Sequence, residues 1–101
     1  MSRCNLDCSY CYVYNRGDSS WKTRPKLASE AIALALRDRA ISHCARHGLD
    51  HFDIEFHGGE PLLIGKARLR RIMSLFREKG APPWFRFHLQ TNGLLLDEEW
   101  L

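Results

Sequence analysis

The sequence contains no apolar run long enough to cross a bilayer, and no repeat or low-complexity stretch. Nothing near its start is built like a secretory leader, because Arg3 is followed at once by a cysteine-rich loop. Without a secretion signal the cysteines are expected to be reduced, which points to the cytoplasm. Net charge is also scarce: 15 Lys and Arg against 12 Asp and Glu leave only +3. The one concentration of cations, Lys66, Arg68, Arg70 and Arg71, reads as a solvated helix face rather than a nucleic-acid patch. No membrane and no nucleic acid are therefore expected as partners. At 101 residues the chain is one domain at most, and its modest core is marginal for an α/β fold standing alone.

What the sequence does have is three cysteines at a telling spacing. Cys4, Cys8 and Cys11 form Cys-x3-Cys-x2-Cys within Cys4-Asn5-Leu6-Asp7-Cys8-Ser9-Tyr10-Cys11-Tyr12. A loop this short offers three thiolates to one soft metal centre. A four-iron cluster takes one thiolate per iron, so the fourth iron is left for a ligand that is not protein. Other readings stay open on spacing alone. Cys8-Ser9-Tyr10-Cys11 is also a Cys-x-x-Cys, as in zinc sites and thiol redox motifs. A zinc site would need a fourth ligand, with His43, Cys44 and His47 as candidates. A thioredoxin-like motif would follow a hydrophobic strand, and only Met1, Ser2 and Arg3 precede Cys4. Two disulfides could be drawn from the four cysteines, but nothing else suggests secretion.

Residues 4–26 read as an irregular loop punctuated by Gly17, Asp18, Ser19, Ser20 and Pro25. Its aromatics Tyr10, Tyr12, Tyr14 and Trp21 are expected to pack over the cysteine site. Ser29 is a helix N-cap and Gly48 the residue that stops the helix. Between them Ile32, Ala35, Leu36, Ala40, Ile41 and Cys44 form the expected apolar stripe, which buries Cys44 as a small hydrophobe outside any metal site. Residues 51–57 alternate strictly, with Phe52, Ile54 and Phe56 on one face and Asp53, Glu55 and His57 on the other, as in a strand. The polar face is either wet or the lining of a barrel interior. Gly58-Gly59-Glu60-Pro61 follows. A second helix is expected over 66–79, with Leu69, Ile72, Met73 and Phe76 on one face and Gly80 ending it. A second strand spans 84–90 and runs into Thr91-Asn92-Gly93, a turn signal. Asp97, Glu98 and Glu99 are expected to open a third helix. Strands alternating with helices imply parallel βα units, with sites at the carboxyl ends of the strands.

The three motifs in this order, with Phe56-His57-Gly58-Gly59-Glu60-Pro61-Leu62 and Gln90-Thr91-Asn92-Gly93 behind the cysteine loop, resemble the radical S-adenosyl-L-methionine (SAM) superfamily. Within it they resemble the branch of anaerobic sulfatase-maturating enzymes and SPASM-type peptide maturases. The resemblance spans essentially the whole chain. It implies that Cys4, Cys8 and Cys11 hold a 4Fe-4S cluster whose free iron chelates SAM. One electron from an external donor then cleaves a carbon–sulfur bond to give methionine and a 5′-deoxyadenosyl radical, which abstracts hydrogen from a peptide or protein substrate. By the same resemblance Gly58, Gly59, Glu60 and Pro61 contact SAM, with Glu60 and neighbouring carbonyls suited to its ammonium. Tyr10 lies near the adenine, and Asn92 reaches the ribose or carboxylate. The implied fold is part of a (β/α)6 partial barrel, with residues 1–101 a piece of its core truncated at both ends. A zinc-binding interaction module and an inactive remnant are the competing functions.

Overall fold

In a computed structural model, which describes residues 1–78 and 80–100, the chain forms two helices against one face of a two-stranded parallel sheet. Helix α1 (Glu30–His47) is followed by strand β1 (His51–Phe56), helix α2 (Lys66–Arg77) and strand β2 (Trp84–Leu89). Short 3-10 turns lie at Ser20–Lys22 and Pro61–Ile64.

Local chemistry sets the limits of α1. The Ser29 side chain accepts a hydrogen bond from the Ile32 N–H, one of the donors that a helix start leaves unpaired. At the other end Gly48 adopts φ 63°, a left-handed conformation that costs glycine least. The buried stripe of α1 matches the expected one in part. Ala40 and Cys44 are buried as expected and Ala33 joins them, whereas Ile32 and Leu36 are exposed. Arg37 reaches over to α2, donating to the Leu75 carbonyl at 3.0 Å. In α2, Leu69, Ile72 and Phe76 are buried as expected, and Leu75 joins them. This helix ends at Arg77, and Lys79 lies outside the described residues. Where a third helix is expected to open, residues 98–100 form a turn, and the Asp97 carboxylate accepts from the Glu99 and Trp100 N–H groups. Leu101 is likewise outside the described residues.

The strands pair in register, Phe52 beside Phe85, Asp53 beside Arg86, Ile54 beside Phe87 and Glu55 beside His88. Because side chains alternate along a strand, one face is apolar and the other polar. The apolar face packs on the helices around Ile54, Ile72, Leu75 and Phe76. Phe76 stands edge-on to Phe85 and Phe87, with ring centres 5.0 and 6.0 Å away, a favoured aromatic geometry. This packing, with the parallel crossover through α2, brings the residues just after β1 and β2 side by side.

On the polar face Asp53 takes two hydrogen bonds of 2.8 Å from Arg86 and one of 2.9 Å from His88. The cations of α2 are mostly engaged within the chain: Lys66 pairs with Asp97 and Glu99, Arg71 with Glu30, and Arg68 donates to the Ala28 carbonyl. Hydrogen bonds from Arg86 and then His88 hold the Asp53 carboxyl at about 2, below its ordinary 3.8. A depressed carboxylate stabilises the fold above its unfolded-state value and loses that contribution as pH falls through its folded-state value. Asp53→Asn is therefore expected to lower stability by a constant amount above about pH 5, with the gap closing between pH 3.8 and about 2. Urea denaturation at several pH values measures this; a gap independent of pH would contradict it.

Candidate functional site

The cysteine loop reaches the carboxyl end of β1 through main-chain pairing. Residues 1–3 lie alongside the turn after β1, with the Gly59 N–H bonded to the Met1 carbonyl at 3.0 Å and the Glu60 N–H to the Arg3 carbonyl at 2.8 Å. On its other side the Ser2 N–H donates to the Lys26 carbonyl. This close approach explains both glycines. Gly58 has φ 131°, and a Cβ there would collide with the Met1 carbonyl. A Cβ on Gly59 would collide with the Arg3 carbonyl and the Tyr14 hydroxyl.

The loop itself is curled by short-range hydrogen bonds. The Cys11 N–H bonds the Cys8 carbonyl, and the Asn15 N–H bonds the Cys11 carbonyl, both at 2.9 Å. The Asn15 amide also donates to Asp7 and to the Cys8 carbonyl. The Leu6 N–H points at the Cys4 sulfur, 3.4 Å away. Arg3 anchors the far end, donating to the Trp21 carbonyl at 2.8 Å with its guanidinium 5.2 Å from the Trp21 ring centre.

All three thiols are free and open on one cavity of about 300 Å³. Gly58, Gly59, Glu60, Tyr10 and Asn92 line the same cavity, so every expected site residue except Pro61 meets there. Pro61 is buried behind it, at the start of the 3-10 turn. Among the described residues, no three His, Cys, Asp or Glu side chains converge as the ligands of one metal ion would. Corner ligands of a cube-shaped cluster, each on its own iron, have no need to converge on a point. His43, Cys44 and His47, the candidates for a fourth zinc ligand, are absent from the cavity lining. His43 packs on His47 and Phe52, and the buried Cys44 thiol lies 3.6 Å from the His51 carbonyl.

The aromatics divide. Tyr14 and Trp21 pack edge to face with ring centres 4.9 Å apart, whereas Tyr10 and Tyr12 line the cysteine cavity but are 76% and 71% exposed. The expectation that all four pack over the cysteines is met in part: all lie at the cysteine loop, but Tyr10 and Tyr12 stay largely exposed. The Tyr14 hydroxyl and the Trp21 indole N–H are buried without a hydrogen-bond partner among the described residues. Burial, then the neighbouring Cys4 and Cys11 thiols, push the Tyr14 phenol above its ordinary pKa. The unpartnered Tyr14 hydroxyl is a donor left free near the cysteine loop, which fits a sulfur-rich cofactor held there.

Glu60 is only 1% exposed. One carboxylate oxygen accepts from the Leu62 N–H at 2.9 Å and the Thr91 hydroxyl at 2.6 Å; the other accepts from the Asn92 N–H at 2.9 Å. Burial is the largest influence on this group and raises its pKa. The three hydrogen bonds together outweigh it, and the carboxyl lies below its ordinary value. The carboxylate expected to suit an ammonium thus already accepts three hydrogen bonds from within the chain. The carbonyls of Gly58 and Gly59 accept no hydrogen bond from the described residues. Asn92 is engaged as well, donating to Asn5 of the cysteine loop at 2.9 Å and accepting from the Leu94 N–H at 3.1 Å. Sequence reading gave no site role to Asn5 or Thr91. Asn5 and Asn92 lie 87 positions apart, and no local pattern signals such a pair.

Fold and site together define an α/β unit that presents a three-cysteine loop and a glycine turn at the carboxyl ends of parallel strands. The family model of the Radical SAM superfamily matches residues 1–101, and the chain belongs to that superfamily. It is similar to the cysteine-type anaerobic sulfatase-maturating enzyme of Clostridium perfringens (strain 13 / Type A), 33% identical over 98% of this chain and 26% of the relative. The serine-type anaerobic sulfatase-maturating enzyme of Bacteroides thetaiotaomicron is 29% identical over 96% of this chain and 23% of the relative. The chain spans about a quarter of the length of these curated relatives.

Gly59→Ala is expected to displace Arg3 and Tyr14, and with them Cys4, at a cost of about 1–3 kcal/mol. Chemical denaturation together with iron uptake by the cofactor-free protein measures both effects. Unchanged stability and uptake would contradict the packing described.

Proposed function

We propose that this chain is part of the core of a radical SAM enzyme that acts on a peptide or protein. The observation that carries this reading is the shared cavity, where three free thiols face the Gly58–Glu60 turn. Cys4, Cys8 and Cys11 hold a 4Fe-4S cluster, each supplying the sole thiolate of one iron. Gly58, Gly59, Glu60, Pro61, Tyr10 and Asn92 form the SAM site. When bound, the cluster and SAM supply radical chemistry: one electron from an external donor splits SAM into methionine and a 5′-deoxyadenosyl radical, which takes a hydrogen atom from the substrate.

The protein's own residues bind and orient. The open carbonyls of Gly58 and Gly59 accept from the SAM ammonium. Glu60 carries a buried negative charge with no salt bridge among the described residues, and so favours a cation in front of it. Tyr10 takes the adenine side of the cavity. The polar sheet face, with Asp53, Glu55, Arg86 and His88, is the inner wall of a (β/α)6 partial barrel of which residues 1–101 are one part. That the similar proteins are anaerobic sulfatase-maturating enzymes supports a protein substrate.

Anaerobic reconstitution tests the ligand set. Cys4→Ala, Cys8→Ala and Cys11→Ala are each expected to abolish stable iron binding, and Cys44→Ala to preserve it. Full iron content in Cys8→Ala would refute the assignment.

A further inference from the structure

We infer that Glu60 is a positioning residue, and that its carboxylate locks the turn after β2 to the cysteine loop rather than serving chiefly as a ligand of the cofactor. The inference deepens the SAM reading above and rests on it only for where the cofactor lies.

The chain of contacts is continuous. The Glu60 main-chain N–H holds the Arg3 carbonyl, one residue before Cys4. Its carboxylate holds the Thr91 hydroxyl and the Asn92 N–H. Thr91 in turn accepts from the Gly93 N–H at 3.1 Å, which fixes the turn. The Asn92 side chain then reaches back to Asn5, one residue after Cys4. Cys4 is thereby held from both sides, through Arg3 and Asn5, by two routes that begin at one glutamate. The carboxylate is 1% exposed and has three donors from segments up to 32 residues apart, so little of it faces the cavity.

Replacement by glutamine keeps the shape. However, it leaves an NH2 group where an acceptor must face either the Asn92 N–H or the pair formed by Leu62 and Thr91. The test is hydrogen exchange by mass spectrometry on full-length, cofactor-free protein, comparing wild type with Glu60→Gln and Thr91→Val, followed by SAM binding to the reconstituted proteins. Both variants are expected to speed exchange about tenfold or more in peptides covering residues 4–7 and 91–94, while β1 and α2 stay protected. SAM affinity is expected to fall in the same order as the exchange effect. A weaker SAM affinity in Glu60→Gln with wild-type exchange at 4–7 and 91–94 would overturn the inference, because the carboxylate would then act on SAM directly. Exchange raised uniformly across the chain would overturn it too, as general destabilisation. If Glu60→Gln fails to fold, Thr91→Val decides by the same two readouts. Wild-type protein that takes iron but binds no SAM would defeat the cofactor reading and leave the exchange result to decide on Glu60.

Discussion

The arrangement of this site depends on one buried carboxylate. Glu60 stands where three stretches of chain meet: the approach to the cysteine loop, the 3-10 turn at Pro61–Ile64, and the turn after β2. An isolated ionised carboxylate in such a place is strongly disfavoured. Three donors change the balance, since hydrogen bonds to a charged group contribute on the order of 1.5–3 kcal/mol each. The depressed pKa is the mark of that balance, with hydrogen bonding outweighing desolvation. The fold provides the donors at the right places because parallel pairing in register brings the ends of β1 and β2 side by side.

The glycines before Glu60 serve the same junction. Their missing side chains let residues 1–3 lie directly against the turn, and this contact places Cys4 beside the strand ends. Any side chain there would push the cysteine loop away from the cavity that it lines. Gly58, Gly59 and Glu60 thus work as one unit. The glycines allow the approach, the Glu60 N–H fixes it, and the carboxylate extends it to Asn92.

Much of this was legible in the sequence. Strict alternation marked β1, a second strand was expected where β2 lies, and Ser29 and Gly48 marked the limits of α1 through capping chemistry. Cys4, Cys8, Cys11 and the Gly58–Glu60 turn were found from spacing and motif order, and they do share a cavity. The failures have physical causes. The apolar stripe of α1 was right for Ala40 and Cys44 and wrong for Ile32 and Leu36, because apolar character alone does not say which side of a helix meets the sheet. Glu60 was read by its charge alone, and the donors from Thr91 and Asn92, more than 30 residues away, were not foreseen. Long-range hydrogen bonds of this kind leave no periodicity in a single sequence, and the Asn5–Asn92 pair is invisible for the same reason.

The central claim is that the cysteine loop holds a cluster with one iron open toward the Gly58–Glu60 turn. Electron paramagnetic resonance of the full-length protein, reconstituted anaerobically with iron and sulfide and then reduced, tests it most directly. The account predicts the signal of a one-electron-reduced 4Fe-4S cluster that changes when SAM is added. A colourless protein that takes up zinc in place of iron, or a cluster whose spectrum is blind to SAM, would contradict it.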